Sequence, residues 1–454
     1  MNLTRLVAML AIASIIPGPL AAQHLTLGEA LARAEAGAYA NRIATGAADA
    51  QAATAFGAYR GILPSLRVEA GFVRTTDPIG VFGTTLRQRA ITPADFDPAR
   101  LNFPEATDNR VAALVVEQPL LNADAWVGRH AGVAATAAAR ASAEWTRTGT
   151  RTDVIRAYFG ATLANEKQGT LDAAERAARA HVARATALAD TGLVTRSDAL
   201  LAEVRAGEVA ASRLEAAGDA DHAVRALALL LGDPQDRPAL PAALPDADAI
   251  RALVAADTAT LATAMQGEAR ADVRAAERAL EASRADAWRA KAAYLPRLNG
   301  FARYDWNDPT GLFRNVKSWT VGVMATWSPF AGASELSDLR ATAARERSAA
   351  AQRDAAVGQA ELELERTRTG LQVALAQLDI AERAVAQSTE AHRIVALKYD
   401  GGLATISELL EASAMETRSR LGASAARYRL LVSAAERRQA LGADPAFLNT
   451  LTTP

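Results

Sequence analysis

The chain has no cysteine, which removes a disulfide framework, a thiolate metal site, a cysteine nucleophile and a lipidated N-terminal cysteine. Aromatic residues make up only 5% of its 454 residues, too few for the thick cores of the roughly three globular domains that its length would suggest. Neither charge is in excess, with 50 basic and 51 acidic residues, so bulk electrostatics favours neither nucleic acid nor an anionic membrane surface. Walker A, G-x-S-x-G and G-x-G-x-x-G sequences are missing. The five histidines, His24, His130, His181, His222 and His392, form no pair at i, i+3 or i+4. No metal, no cofactor and no enzymatic activity is therefore expected. Nor does any segment reach the ~18 consecutive apolar residues of a membrane-spanning helix. What the chain does have is alanine, about a quarter of all residues. Alanine favours helix and offers little surface to bury, which suits long, closely packed helices.

Residues 1–22 read as a Sec signal peptide. Arg5 supplies the positive start, Leu6 to Ile16 the apolar run, Pro17-Gly18-Pro19 a break, and Leu20-Ala21-Ala22 small residues for cleavage. A run of about 11 residues is too short to stay behind as an anchor, so the mature protein is expected to be exported without a transmembrane helix.

The rest of the chain repeats itself. Thr191-Gly192-Leu193-Val194-Thr195-Arg196-Ser197-Asp198 is matched by Gly401-Gly402-Leu403-Ala404-Thr405-Ile406-Ser407-Glu408, an offset of 210. The same offset relates Pro119-Leu120 to Pro329-Phe330, so 73 residues separate proline from glycine in both halves. Equal spacing across two different motifs points to duplication. Leu63-Pro64 and Leu295-Pro296 are offset by 232, so the first half carries about 22 extra residues, placed within Ile79 to Asp108.

Each half shows one order of elements. A helical stretch, about Thr26 to Gly61 and Ile250 to Tyr294, ends at Leu-Pro. Two segments of alternating character follow. In the first half these are Leu66, Val68, Ala70 and Phe72 against Arg67 and Glu69, then Val111 to Glu117. In the second they are Leu298 to Trp306, then Ser318 to Trp327. Period-2 runs of about ten residues are strands, and that length also suits a tilted transmembrane strand. After Pro119 and Pro329 the period turns helical for roughly 60 to 70 residues, or about 90 to 100 Å. Val357, Leu364, Leu371, Leu378 and Val385 recur every seven residues, the spacing of a supercoiled seam. Gly192 and Gly401-Gly402 break the helix, and a returning helix runs from near Thr195 and Thr405 to about Leu231 and Leu441. The resulting boundaries are 1–22 for the signal peptide, 23–232 and 250–442 for the repeats, 233–249 for a proline-rich linker and 443–454 for a tail. Four strands alone would leave two open edges in hydrocarbon, so closure needs several chains; three would supply twelve strands.

This ordered whole resembles the TolC-type outer-membrane efflux factors over essentially the entire mature chain. The resemblance implies a homotrimer in the outer membrane of a Gram-negative cell. Its twelve-stranded β-barrel would be continuous with a periplasmic α-helical tunnel, serving as the passive exit duct of a tripartite pump or type I secretion system. The implied partners are a periplasmic adaptor, an inner-membrane transporter and outer-membrane lipid. The insert falls between two strands and is expected to form an extracellular loop.

The resemblance also implies a periplasmic constriction at the hairpin tips. Glu408 and Glu411, three apart and so on one helix face, would ring it; Tyr399 would join the closing hydrogen bonds, and Ser197 and Asp198 sit at the matching place in the first hairpin. The family's basic gate residue falls at Ala404 here, so that salt bridge cannot form as such. Carboxylates from three chains at one ring would favour cations and raise some of one another's pKa values. A second reading stays open, because Thr405-Ile406-Ser407-Glu408 and Thr195-Arg196-Ser197-Asp198 have the form of helix capping boxes, and Tyr399 also suits packing. Gly192, Leu193, Gly402 and Leu403 resemble tip residues that meet the adaptor, and they also suit an ordinary turn. Tyr304, Trp306, Trp319 and Trp327 suit an interfacial aromatic girdle or packing between protomers. A periplasmic coiled-coil adaptor or scaffold without a pore is the alternative. It accounts for the heptads but not for the duplication or the strands.

Overall fold

The computed structural model describes residues 24–264, 270–314, 316–330 and 332–452. The expected signal peptide lies outside them. The elements in order are α1 (Leu27–Gly37), α2 (Tyr39–Gly57), β1 (Ser65–Thr75), α3 (Pro78–Arg87), α4 (Pro98–Asn102), β2 (Thr107–Leu121), α5 (Ala123–Asp190), α6 (Arg196–Leu230), α7 (Ala247–Ala264), α8 (Ala271–Ala292), β3 (Arg297–Asp308), β4 (Val316–Thr326), α9 (Ser334–Asp400) and α10 (Ile406–Ala440). The long helices α5 and α9 have 68 and 67 residues, and α6 and α10 have 35 each. The returning helices begin and end at the same 210-residue offset that relates the sequence motifs.

The first helical stretch is not continuous. It breaks at Ala38, whose ψ of 128° is extended, and the side-chain amide of the buried Asn41 donates to the Ala34 carbonyl across the break at 3.1 Å. No proline announces this interruption; the Ala34 carbonyl still accepts the Ala38 N–H at 3.0 Å and takes the Asn41 amide as a second donor. The extra residues after β1 form α3, a 3-10 turn at Pro93–Phe96 and α4, with Asp77 and Asp97 capping the two helices.

The chain divides into two units. The first comprises residues 24–42, 147–264 and 364–452. Its core gathers Tyr158 and Phe159 of α5, Leu227 of α6, Ile250 of α7, Leu371 and Leu378 of α9, and Leu430 and Leu431 of α10. Of the heptad positions, Leu371 and Leu378 are buried, while Val357, Leu364 and Val385 are half-buried. The proline-rich linker is irregular but anchored. Leu240 and Leu244 enter the core, the Leu244 N–H donates to Glu166 at 2.8 Å, and Arg427 pairs with the same carboxylate. Burial pushes the Tyr158 phenol up to about 12, and its hydroxyl donates to the Leu25 carbonyl at 2.8 Å. The ends of α1 and α6 approach closely, so that a Cβ on Gly232 would stand 2.2 Å from the Gly37 carbonyl oxygen.

The second unit, residues 43–146 and 270–363, holds one antiparallel sheet in the order β1-β2-β3-β4. Its register aligns Val68, Leu114, Tyr304 and Trp319 across the four strands. Because side chains alternate, that row defines an apolar face with Leu66, Phe72, Ala112, Val116, Ala302, Val321 and Val323. The opposite face carries ions. Arg67 pairs with Glu117 at 2.9 Å, and Arg303 bridges Glu69 at 3.0 Å and Asp305 at 2.8 Å. Among the described residues, β1 and β4 each pair on one side only. The apolar face is bare: Val68 is 62% exposed, Trp319 72% and Val321 66%.

Gly192 has φ +74° in open space, so Gly192→Ala is expected to cost about 1 kcal/mol of backbone strain. Gly232→Ala adds a backbone collision and is expected to cost roughly 2–4 kcal/mol. Thermal unfolding of the two variants checks the ranking, and equal losses would contradict the close approach of α1 and α6.

Candidate functional site: the hairpin tips

The two tips are built alike. Each long helix ends in a Schellman motif: the N–H of Gly192 donates to Ala189 at 3.0 Å and that of Leu193 to Leu188 at 3.0 Å. In the second hairpin Gly402 donates to Tyr399 at 3.1 Å and Leu403 to Lys398 at 2.8 Å. Both glycines need positive φ, +74° and +71°. Leu193 and Leu403 project from the turns at 74% and 81% exposure.

The returning helices start with capping boxes. The Asp198 carboxylate accepts from the Thr195 N–H at 3.0 Å and Glu408 from the Thr405 N–H at 2.6 Å, while each threonine hydroxyl accepts an N–H in return. Ser197 lies beside this cap, its hydroxyl 2.6 Å from that of Thr195. The hydrogen bonds from the Thr405 backbone and hydroxyl hold the Glu408 carboxyl below the usual range. Glu411 is exposed and pairs with no described residue.

Tyr399 is buried in a cluster that joins the two tips, with Ala185 of α5, Ala199 and Ala202 of α6, and Ile406, Leu409 and Leu410 of α10; Ala404 packs against it. Its hydroxyl has no partner among the described residues, and burial raises its pKa while the Arg184 guanidinium 5.9 Å from its ring works against the rise. Within the single chain Tyr399 thus lies packed inside this cluster, and a charged link joins the hairpins beside it, Arg184 to Asp400 at 2.6 Å.

Behind the tips, His181 of α5 and His392 of α9 meet with ring centroids 6.2 Å apart. His392 Nδ1 lies 2.5 Å from Glu416 of α10, which also takes Thr389 at 3.0 Å and Arg420. Burial alone would raise the Glu416 carboxyl, but these partners outweigh it and hold it low. Neither Arg184–Asp400 nor the histidine pair follows from local spacing. The one available clue is the repeat: His392 lies one residue off the 210 offset from His181.

Of the aromatic candidates, Tyr304 and Trp306 contact edge to face at 4.7 Å, and Trp319 stands opposite Tyr304. Trp327 lies past the other end of β4 and donates its indole N–H to the Tyr294 carbonyl at 3.1 Å. Among the described residues no cluster of three or more His, Cys, Asp or Glu could hold a metal, and no helix is long and apolar enough to cross a membrane.

Residues 42–233 and 266–443 match the profile of the outer membrane efflux proteins. The chain belongs to that family. Solved structures with the same fold include the outer membrane channel CmeC of Campylobacter jejuni, 16% identical, TM-score 0.75, covering 92% of this chain and 85% of that one. They include the outer membrane protein VceC of Vibrio cholerae, 20% identical, TM-score 0.73, with coverage of 92% and 96%. The open-state channel MtrE of Neisseria gonorrhoeae is 19% identical, with TM-score 0.71 and coverage of 92% and 89%. A comparison with curated protein sequences finds no significant match. Membership makes this chain an outer-membrane efflux protein of a family of channels, not of enzymes.

Because each threonine at a helix start satisfies an otherwise orphaned N–H, Thr195→Ala and Thr405→Ala are each expected to cost about 1 kcal/mol and to speed amide exchange in the first turns of α6 and α10. Unchanged exchange there would remove the caps from the account of the tips.

Proposed function

We propose that three copies of this efflux protein pair β1 of one chain with β4 of the next and close a twelve-stranded barrel in the outer membrane. The long hairpins of 23–232 and 250–442 would form a periplasmic tunnel, exported by the signal peptide of residues 1–22 and held without a lipid anchor. The observation that carries this reading is the sheet: one face apolar and bare, the other lined by ion pairs, and both edges unpaired. Hydrocarbon accepts the first, a water-filled lumen the second, and only closure satisfies the third. Tyr304, Trp306 and Trp319 near one rim and Trp327 at the other support the reading as interfacial belts. A poreless coiled-coil adaptor or scaffold gives this sheet no role.

The duct is passive, docks to a periplasmic adaptor through Gly192, Leu193, Gly402 and Leu403, and receives cargo from an inner-membrane pump. Its constriction lies at the tips, where Glu408, Glu411, Asp198 and Ser197 supply polar groups and Tyr399 packs the hairpins together. The capping role of Glu408 and a place on the pore are compatible, since a capping carboxylate remains exposed.

The test is membrane fractionation followed by planar-bilayer recording of the purified protein. Recovery in the outer membrane with cation-preferring conductance is expected, and a soluble monomer without conductance would overturn the reading. Replacing Glu408 and Glu411 together by glutamine keeps the capping geometry and is expected to lower the cation-to-anion permeability ratio severalfold. An unchanged ratio removes both from the pore.

A further inference from the structure

The histidine pair behind the tips is unused by the duct as described above. His181 and His392 come from α5 and α9, one from each hairpin, and both Nε2 atoms are buried without a partner among the described residues. The two rings differ in what else they touch. His392 has a carboxylate, Glu416, on its Nδ1. His181 has none.

The charges facing His181 are set by four helices. Its own helix, α5, contributes Arg184, and α9 contributes His392. From α6, Arg205 and Glu208 line the same groove, but they pair with each other at 2.5 Å. From α10, Arg418 lines the groove, and the nearby Glu416 is already engaged by His392, Thr389 and Arg420. Both carboxylates in the neighbourhood are thus occupied, while a proton on His181 would meet the Arg184 guanidinium and the His392 ring.

We propose that the His181–His392 contact is an acid-sensitive latch between the two hairpins, in which protonation of His181 separates α5 from α9 just behind the tips. The physiological meaning of this device rests on the tips being the constriction; the device itself does not. Burial first, and then His392 and Arg184, hold the His181 pKa below its ordinary value. Separation would return it toward about 6.5, so the separated form takes up the proton. The packed form is therefore at full stability above about pH 6.5 and loses ground as pH falls below it. One proton per chain allows at most about a tenfold change in the packed-to-separated ratio per pH unit.

The absence of cysteine makes the measurement clean. Spin labels on Ala180→Cys and Ala391→Cys, exposed neighbours of the two histidines, report the α5–α9 distance in the full chain by pulsed electron resonance. The expected result is a single short distance at pH 7.5 and a growing longer population from pH 6.5 to 5.5. That population should vanish when His181→Gln is added. Should this variant not fold, His181→Phe, a neutral ring of similar shape, serves the same purpose. Distances that do not respond to pH, or a response that persists with the neutral side chain, would overturn the proposal. Bilayer conductance of the same preparation separates the two readings. Conductance without a pH-dependent distance rejects the latch and leaves the duct, whereas a pH-dependent distance without conductance rejects the duct and leaves the latch.

Discussion

A sheet whose apolar face and two edges are left open by the described residues governs the rest of this protein. Val68, Trp319 and Val321 stand open on one side, Arg67, Glu69, Glu117, Arg303 and Asp305 interlock on the other, and β1 and β4 each pair only once. Backbone groups at such edges would cost several kcal/mol each in hydrocarbon, and it is this cost that the proposed closure between chains removes. The register fixes the division of faces, because a slip by one residue would carry the ion-paired side chains to the other face.

The helical unit answers a different constraint with different residues. Helices of 68 and 67 residues need neighbours along their length, and alanine at Ala161, Ala374, Ala434 and Ala435 lets backbones approach where larger side chains would hold them apart. The large residues, Tyr158, Phe159 and the leucines, collect where α5, α6, α7, α9 and α10 meet the anchored linker. The tips are kept small: Schellman turns closed by glycine, capping boxes closed by threonine with an acid, and one short apolar cluster around Tyr399. A region held by so few apolar contacts sits at the low-stability end of the molecule.

Much of this was legible beforehand. Alternation placed the four strands, because a sheet wet on one side and apolar on the other has to alternate. Glycine placed the hairpin turns, because the positive φ there costs glycine no steric clash. The threonine-acid spacing already contained the caps. Local pattern missed the break at Ala38, which no proline marks, and it missed Arg184–Asp400 and His181–His392, whose partners lie on different hairpins.

The sequence by itself determined the duplication, the element order, the hairpin turns and the two-faced strands, all of which depend on residues within a few positions of each other or on a constant offset. Only the tertiary structure decided that Tyr399 is packed inside the tip cluster, that Arg184 links the hairpins in a chain with alanine at position 404, and that two histidines meet across the repeat. Those contacts depend on how one helix is rotated against another. That rotation is set by packing between residues far apart in the chain and leaves no mark in their local order.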